Sequence, residues 1–231
     1  MEDKGLWLIA DGVGGLSHGE TASAIASQVI GSMVSRGEGV NQAIESAHKA
    51  IQSFGGEECN MAAALVLLLS RGGVYNVFWA GDSRAYLFDG QLTQLTRDHT
   101  HLQYLLDQKM ISEAEAEAEA DPRKNGITKA VGVNQLESVR ADTMSGNWTP
   151  NQKLLLCSDG LSGYVTESEI VRVLESPMSE EQQINLLIEL ALDQGSTDNI
   201  TVILVKAPTD ISYEDDDTEI PNKSILARLN R

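Results

Sequence analysis

Residues 61–96 contain apolar runs separated by turn signals, and this spacing limits the possible folds more than any other feature of the chain. MAAALVLLLS and GGVYNVFWAG are joined by Arg71-Gly72-Gly73, and SRAYLF turns at Asp89-Gly90 into QLTQLT. Apolar runs joined this closely by glycine turns predict hairpins. Consecutive hairpins imply antiparallel pairing, so the sheet is not a doubly wound parallel one.

Helical periodicity surrounds these strands. From Glu20 to about Ser35, Ala22, Ile25, Ala26, Val29, Ile30 and Met33 recur at helical spacing. Between Val40 and Phe54, Ala43, Ile44, Ala47 and Ile51 fall on one face. His99 to Lys109 reads as a helix, and Ser112–Glu115 and Thr166–Glu169 fit capping boxes, the second opening a helix to about Leu174. A further helix is predicted over Glu180–Asp193, with strands at residues 6–10, around Lys153–Cys157 and through NITVILVKA. Residues 114–121 alternate alanine with acid and read as a solvated helix or loop. The sequence divides into a domain over residues 1–208 and an acidic C-terminal tail over 209–231 without core periodicity.

Composition narrows the partners. With 231 residues and 42% apolar content, the chain has enough material for a sizeable core. A formal charge of -17 opposes binding to nucleic acid phosphates or to an anionic membrane surface. Cys59 and Cys157 are the only cysteines, too few for a disulfide framework, and a reducing, cytoplasmic setting is expected. The longest apolar stretch, residues 61–69, is far too short to span a bilayer.

Four aspartates stand at the ends of apolar runs, each beside a small or turn-forming residue: Asp11 in LWLIADGVGG, Asp82 in VFWAGDSRAY, Asp159 in KLLLCSDGLS and Asp198 in GSTDNITVILV. A carboxylate at the mouth of a buried sheet is costly unless a cation meets it. Two such charges about 4 Å apart repel by ~4 kcal/mol at an effective dielectric near 20. If the four converge, divalent metal is the natural remedy, and an all-oxygen donor set suits magnesium or manganese. Taken singly, each aspartate also fits a turn or a helix cap. DGVGG could equally be a nucleotide phosphate loop, but no lysine follows it.

The ordered strings ADGVGG, GDSRAY, CSDGL and STDNITV resemble the PPM-type metal-dependent serine/threonine phosphatases, the protein phosphatase 2C family, and in particular its short bacterial members. TRDHTHLQYLLDQKMIS and RKNGITKAVGV resemble the stretch that family carries between its third and fourth motifs, so the likeness covers about residues 6–206. It implies an α/β (α+β sandwich) fold, with two central antiparallel β-sheets flanked by helices on both sides and a metal site at one edge. It further implies that Asp11 bridges two Mn2+ or Mg2+ ions, that the Gly12 carbonyl binds one of them, and that Asp159 and Asp198 complete the other. Asp82, shared with Asp159, would hold a third ion. The implied reaction is hydrolysis of phosphoserine or phosphothreonine by a water between the metals. The implied partners are a phosphorylated protein and its serine/threonine kinase. The alternative is a pseudophosphatase that binds without turnover.

The likeness has gaps. The family carries an upstream strand with a phosphate-binding arginine and an Asn-Glu/Gln-Asp element, whereas this chain starts ten residues before Asp11. Either these groups are lost by nature or the chain is an N-terminally short version. Val13 follows the first Asp-Gly where many members have histidine, and His18 is only a weak candidate for the acid. Arg84 and His99 read as a structural guanidinium and a packed residue, and Arg123 and Lys124 as possible contacts to a phosphorylated substrate.

Overall fold

Alternation along β1 (Leu6–Gly12) sets the layering of the protein. Successive side chains of a strand point to opposite faces. Leu6, Leu8 and Ala10 pack against helices α1 (Gly19–Ser35) and α2 (Val40–Gly55), while Trp7 and Ile9 face a second sheet. The computed structural model describes residues 5–13, 18–55, 61–118 and 126–209.

The remaining elements are β2 (Ala63–Arg71), β3 (Val74–Ala80), β4 (Arg84–Phe88), β5 (Leu92–Gln94), α3 (His101–Asp107), α4 (Glu113–Ala118), β6 (Asp142–Asn147), β7 (Lys153–Cys157), α5 (Asp159–Ser162), α6 (Glu167–Glu175), α7 (Glu180–Asp193) and β8 (Val202–Lys206). One sheet has the order β1-β2-β3-β6 and the other β5-β4-β7-β8, and every pairing is antiparallel. Ile9, Val66, Leu68 and Val77 of the first sheet meet Ala85, Leu154, Leu156 and Val205 of the second. On the far side Leu155 and Cys157 pack under Leu161, Ile170, Val173 and Leu187. The result is a helix–sheet–sheet–helix sandwich, the expected fold class.

The hairpin readings hold. Arg71 pairs with Val74 across Gly72-Gly73, and Phe88 pairs with Leu92 across Asp89, Gly90 and Gln91. The capping boxes at Thr166 and Ser112 are formed, and α4 covers the described part of the alternating segment. Ser179 and Gln182 form a further box at the start of α7.

The differences have physical causes. The helix expected over 99–109 spans only His101–Asp107, because Thr100 is its cap: its side chain accepts the Gln103 N–H at 3.2 Å. The strand β6, with sequence DTMSGN, carries almost no apolar pattern. It is held by backbone pairing to β3 at the sheet margin, which a hydrophobic period cannot reveal. The run after Asp198 reads as buried, yet β8 starts only at Val202, pairs with β7 alone and buries only Val205. The tail expected from residue 209 lies, apart from its first residue, outside the described residues, as do Cys59, Arg123 and Lys124. No helix among the described residues is long and apolar enough to cross a membrane.

Leu156 is fully buried between the sheets, so truncation leaves a cavity. Leu156→Ala should lower stability by about 2–5 kcal/mol, read as a drop in urea midpoint at unchanged slope. Leu192→Ala, at a side chain 56% exposed, should stay within about 0.5 kcal/mol of the parent.

Candidate functional site

β1 brings the first aspartate to the edge of the sandwich. Asp11 shares the strand face of Trp7 and Ile9, so its carboxyl enters the space between the sheets where their apolar packing ends. Opposite it, β7 ends at Cys157 and Asp159 opens the single turn of α5, half-buried.

A set of short bonds fixes the Asp198 loop to that turn. The Ser158 hydroxyl donates to the Asn199 carbonyl at 3.0 Å and accepts the Thr201 N–H at 3.0 Å, and the Ser158 N–H donates to the Thr201 carbonyl at 3.1 Å. The Ser196 hydroxyl donates to the Gly160 carbonyl at 2.9 Å. Gly160 is needed for this contact, since a Cβ there would stand 2.3 Å from the Asn199 carbonyl oxygen. Asp198 is exposed on this loop, and its Oδ1 accepts the Asn199 N–H at 2.8 Å.

Asp82 lies in the turn where the chain passes from β3 in one sheet to β4 in the other. Gly81 before it has φ +128°, a conformation that favours glycine, and a Cβ there would stand 2.5 Å from Ala64 Cβ. The strap Thr96–His99 fastens this turn from outside. Thr96 Oγ1 accepts the Ala85 N–H at 3.2 Å, and the Arg97 carbonyl accepts Trp79 Nε1–H at 2.9 Å. Asp98 takes a fork of bonds from Arg84 at 2.7–3.1 Å. His99 Nδ1 accepts the Gly81 N–H at 3.1 Å, and the His99 backbone N–H donates to the Gly81 carbonyl at 2.9 Å. Arg84 is therefore a structural guanidinium and His99 a packed ring, as their sequence contexts indicate. His18 is an exposed turn histidine at the N-cap of α1, with φ 64°.

The electrostatics join the four aspartates. Burial pushes the Asp11 carboxyl up to about 7, helped by the charge of Asp159, a hydrogen bond to it, and the charges of Asp198 and Asp82. Asp159 is also raised, by burial and then by Asp198. Burial and Asp159 push Asp82 up to about 7, with Arg84 only partly opposing. Asp11 thus feels all three of the others. Asp11 and Asp159 are joined by a hydrogen bond as well as by charge.

This donor set fits hard divalent cations: it is all carboxylate oxygen, with neither histidine nor cysteine among it. Among the described residues, however, no three His, Cys, Asp or Glu side chains form a closed cage for an ion. Charges repel across several ångströms, whereas ligation needs about 2 Å. Magnesium-type sites use one or two carboxylates and keep several waters, so an open cluster is compatible with such ions. Next to Asp82, the Ser83 hydroxyl is buried without a hydrogen-bond partner.

Sequence reasoning identified the four aspartates but not Ser158, Ser196 or the strap. A lone serine after an apolar run carries no signal of the bonds it makes across the fold.

The family model of protein phosphatase 2C matches residues 1–189. Serine/threonine phosphatase stp of Listeria monocytogenes is 31% identical over 219 residues, covering 89% of this chain and 85% of the relative. Serine/threonine protein phosphatase PstP of Mycobacterium tuberculosis is 32% identical over 211 residues, but these cover 86% of this chain and only 40% of that relative's length. The catalytic domain of PstP, solved in complex with two manganese ions, superposes with a TM-score of 0.74 at 31% identity, covering 87% of this chain and 86% of that one. The chain belongs to the protein phosphatase 2C family.

Proposed function

We propose that this chain is a metal-dependent phosphoprotein phosphatase that hydrolyses phosphoserine and phosphothreonine. The observation that carries the reading is the electrostatic linkage of Asp11, Asp82, Asp159 and Asp198 at one edge of the sandwich. The two manganese ions of the PstP catalytic domain support the choice of Mn2+ or Mg2+.

Asp11 and the Gly12 carbonyl would supply ligands from the first sheet, with Asp11 reaching more than one ion. Asp159 and Asp198 would contribute to one of them from beside the second sheet, and Asp82 with Asp159 would hold a third. Two such ions, when bound, acidify a water between them and offset the charge of the phosphate. The protein's own part is to hold these oxygens near one another and to keep carboxyls raised by burial and mutual repulsion, so that cations compete with protons for them and ion affinity rises with pH. Cys157 does not act as a nucleophile, because burial pushes its thiol up to about 12.

A phosphorylated protein is the substrate, and a serine/threonine kinase in the same cytoplasm supplies it. Residues 1–208 form the phosphatase domain and 209–231 an appended acidic tail. A regulatory binder without turnover is not favoured, since the relatives carry phosphatase names.

Hydrolysis of a phosphothreonine peptide with Mn2+ tests the assignment. Asp159→Asn should lower kcat/KM by at least the ~10–100-fold typical of losing even an outer partner of a metal site. Equal rates for parent and variant would sink the reading.

The raised carboxyls also set a pH dependence. Because the folded-state values of Asp11 and Asp82 lie above the ordinary 3.8, their contribution to stability is full below that value and is lost as pH rises through about 7. In chelator, the melting temperature of Asp11→Asn relative to the parent should therefore rise from pH 4 to pH 7, and Mn2+ should stabilise the parent most at the upper end. Asp11→Asn should stabilise the metal-free protein at pH 7 while losing activity. A metal-free Asp11→Asn whose melting temperature relative to the parent does not rise over this range would contradict the cluster.

A further inference from the structure

We propose that His99 is a positioning residue for Asp82, acting through the backbone of Gly81. The proposal rests on the reading of Asp82 as a member of the metal-binding cluster, and it concerns a group outside that cluster.

The geometry is a chain of contacts. His99 holds Gly81 on both sides, its ring Nδ1 accepting the Gly81 N–H (3.1 Å) and its backbone N–H donating to the Gly81 carbonyl (2.9 Å). With Nδ1 used as an acceptor, the neutral ring carries its proton on Nε2. That nitrogen faces Asp142 Oδ2 at 3.4 Å, and Lys129 binds the other Asp142 oxygen. The ring also lies nearly parallel to Trp79, at 15° with centroids 6.4 Å apart. Trp79 and Asp142 are cross-strand partners of β3 and β6, so His99 rests on two points of one rigid ladder. The residue it grips has φ +128°, the last backbone unit before Asp82.

This arrangement does more than fill space. A packing ring would need only the Trp79 contact. Two backbone bonds to a single glycine fix the peptide planes on either side of it, and those planes set the direction in which Asp82 leaves the strand. Asp82 lies close enough to Asp159 and Asp11 for each of those groups to feel it, so a small swing of the turn changes how its oxygens meet theirs. Outer partners that orient metal ligands work in this way, through geometry rather than contact with the ion.

The substitutions separate the parts. His99→Phe keeps a ring against Trp79 and removes the acceptor. His99→Asn keeps an acceptor close to the position of Nδ1. His99→Gln moves the amide toward Asp142. Three readouts apply: calorimetric titration of the whole chain with Mn2+, amide exchange at Gly81 in metal-free protein, and kcat and KM on a phosphothreonine peptide.

In His99→Phe, exchange at Gly81 should speed up, and the Mn2+ binding step that Asp82→Asn weakens should lose ~10–100-fold in affinity. kcat should fall with little change in KM. His99→Asn should restore all three, and in an Asp82→Asn background His99→Phe should have no further effect on Mn2+ binding. If His99→Phe fails to fold, the contrast between a near-parental His99→Asn and a defective His99→Gln carries the same test.

The proposal is overturned if His99→Phe weakens Mn2+ binding equally in the Asp82→Asn background, or leaves it unchanged. A parent protein that binds Mn2+ as described but hydrolyses nothing would remove the phosphatase reading and leave the His99 assignment standing on titration and exchange.

Discussion

Carboxyl groups that repel one another stay together only where the backbone gives them no way apart, and the two-sheet packing supplies that confinement. Asp11 continues a strand whose alternate residues are locked between the sheets. Asp159 follows a strand whose Leu154 and Leu156 fill the same layer from the other side. Neither can retreat without moving a β-ladder. The electrostatic cost, visible in the raised carboxyls of Asp11 and Asp82, is a property of the fold itself. Such local strain against the rest of the structure is common where a site is built to take a ligand.

Around this confinement the protein invests in backbone hydrogen bonds. Ser158 and Ser196 tie the Asp198 loop to the Asp159 turn, and the strap Thr96–His99 holds the Asp82 turn residue by residue. Asp198 is exposed and has no strand of its own, so its position depends on these bonds and on the close approach at Gly160. The division is physical: aspartates on strands are placed by packing, and aspartates on loops by polar contacts from neighbouring segments.

Legibility in the sequence followed the same division. The hairpins at Gly72-Gly73 and Asp89-Gly90, the helices α1, α2, α6 and α7, and the strand carrying Asp11 all follow from period and punctuation, because burial imposes the period. Asp11, Asp82, Asp159 and Asp198 could be picked out because each adjoins such a run. What was hidden depends on partners distant in sequence. The strand β6 has almost no apolar pattern, since β3 supplies its pairing, and β8 is shorter and more exposed than its composition suggests because it ends a sheet. Ser158 reads as an ordinary turn serine, and its value lies in bonds to residues about 40 positions away. His99 could be read as packed, but not as gripping Gly81.

Because Asp11 lies on one sheet and Asp159 just beyond a strand of the other, an ion that both ligated, as proposed above, would be a removable cross-link. These residues lie about 150 positions apart in the chain, so the loop such a link closes is long, and closing a long loop removes more freedom from the open chain than closing a short one. A disulfide across the same layers would be permanent and would need an oxidising environment. An ion does the same work reversibly, and its grip depends on local concentration. On that reading, the mechanical rigidity of the sandwich and the readiness of its chemistry would be governed by one occupancy, and a cell that limits the ion would loosen the fold and silence the site together.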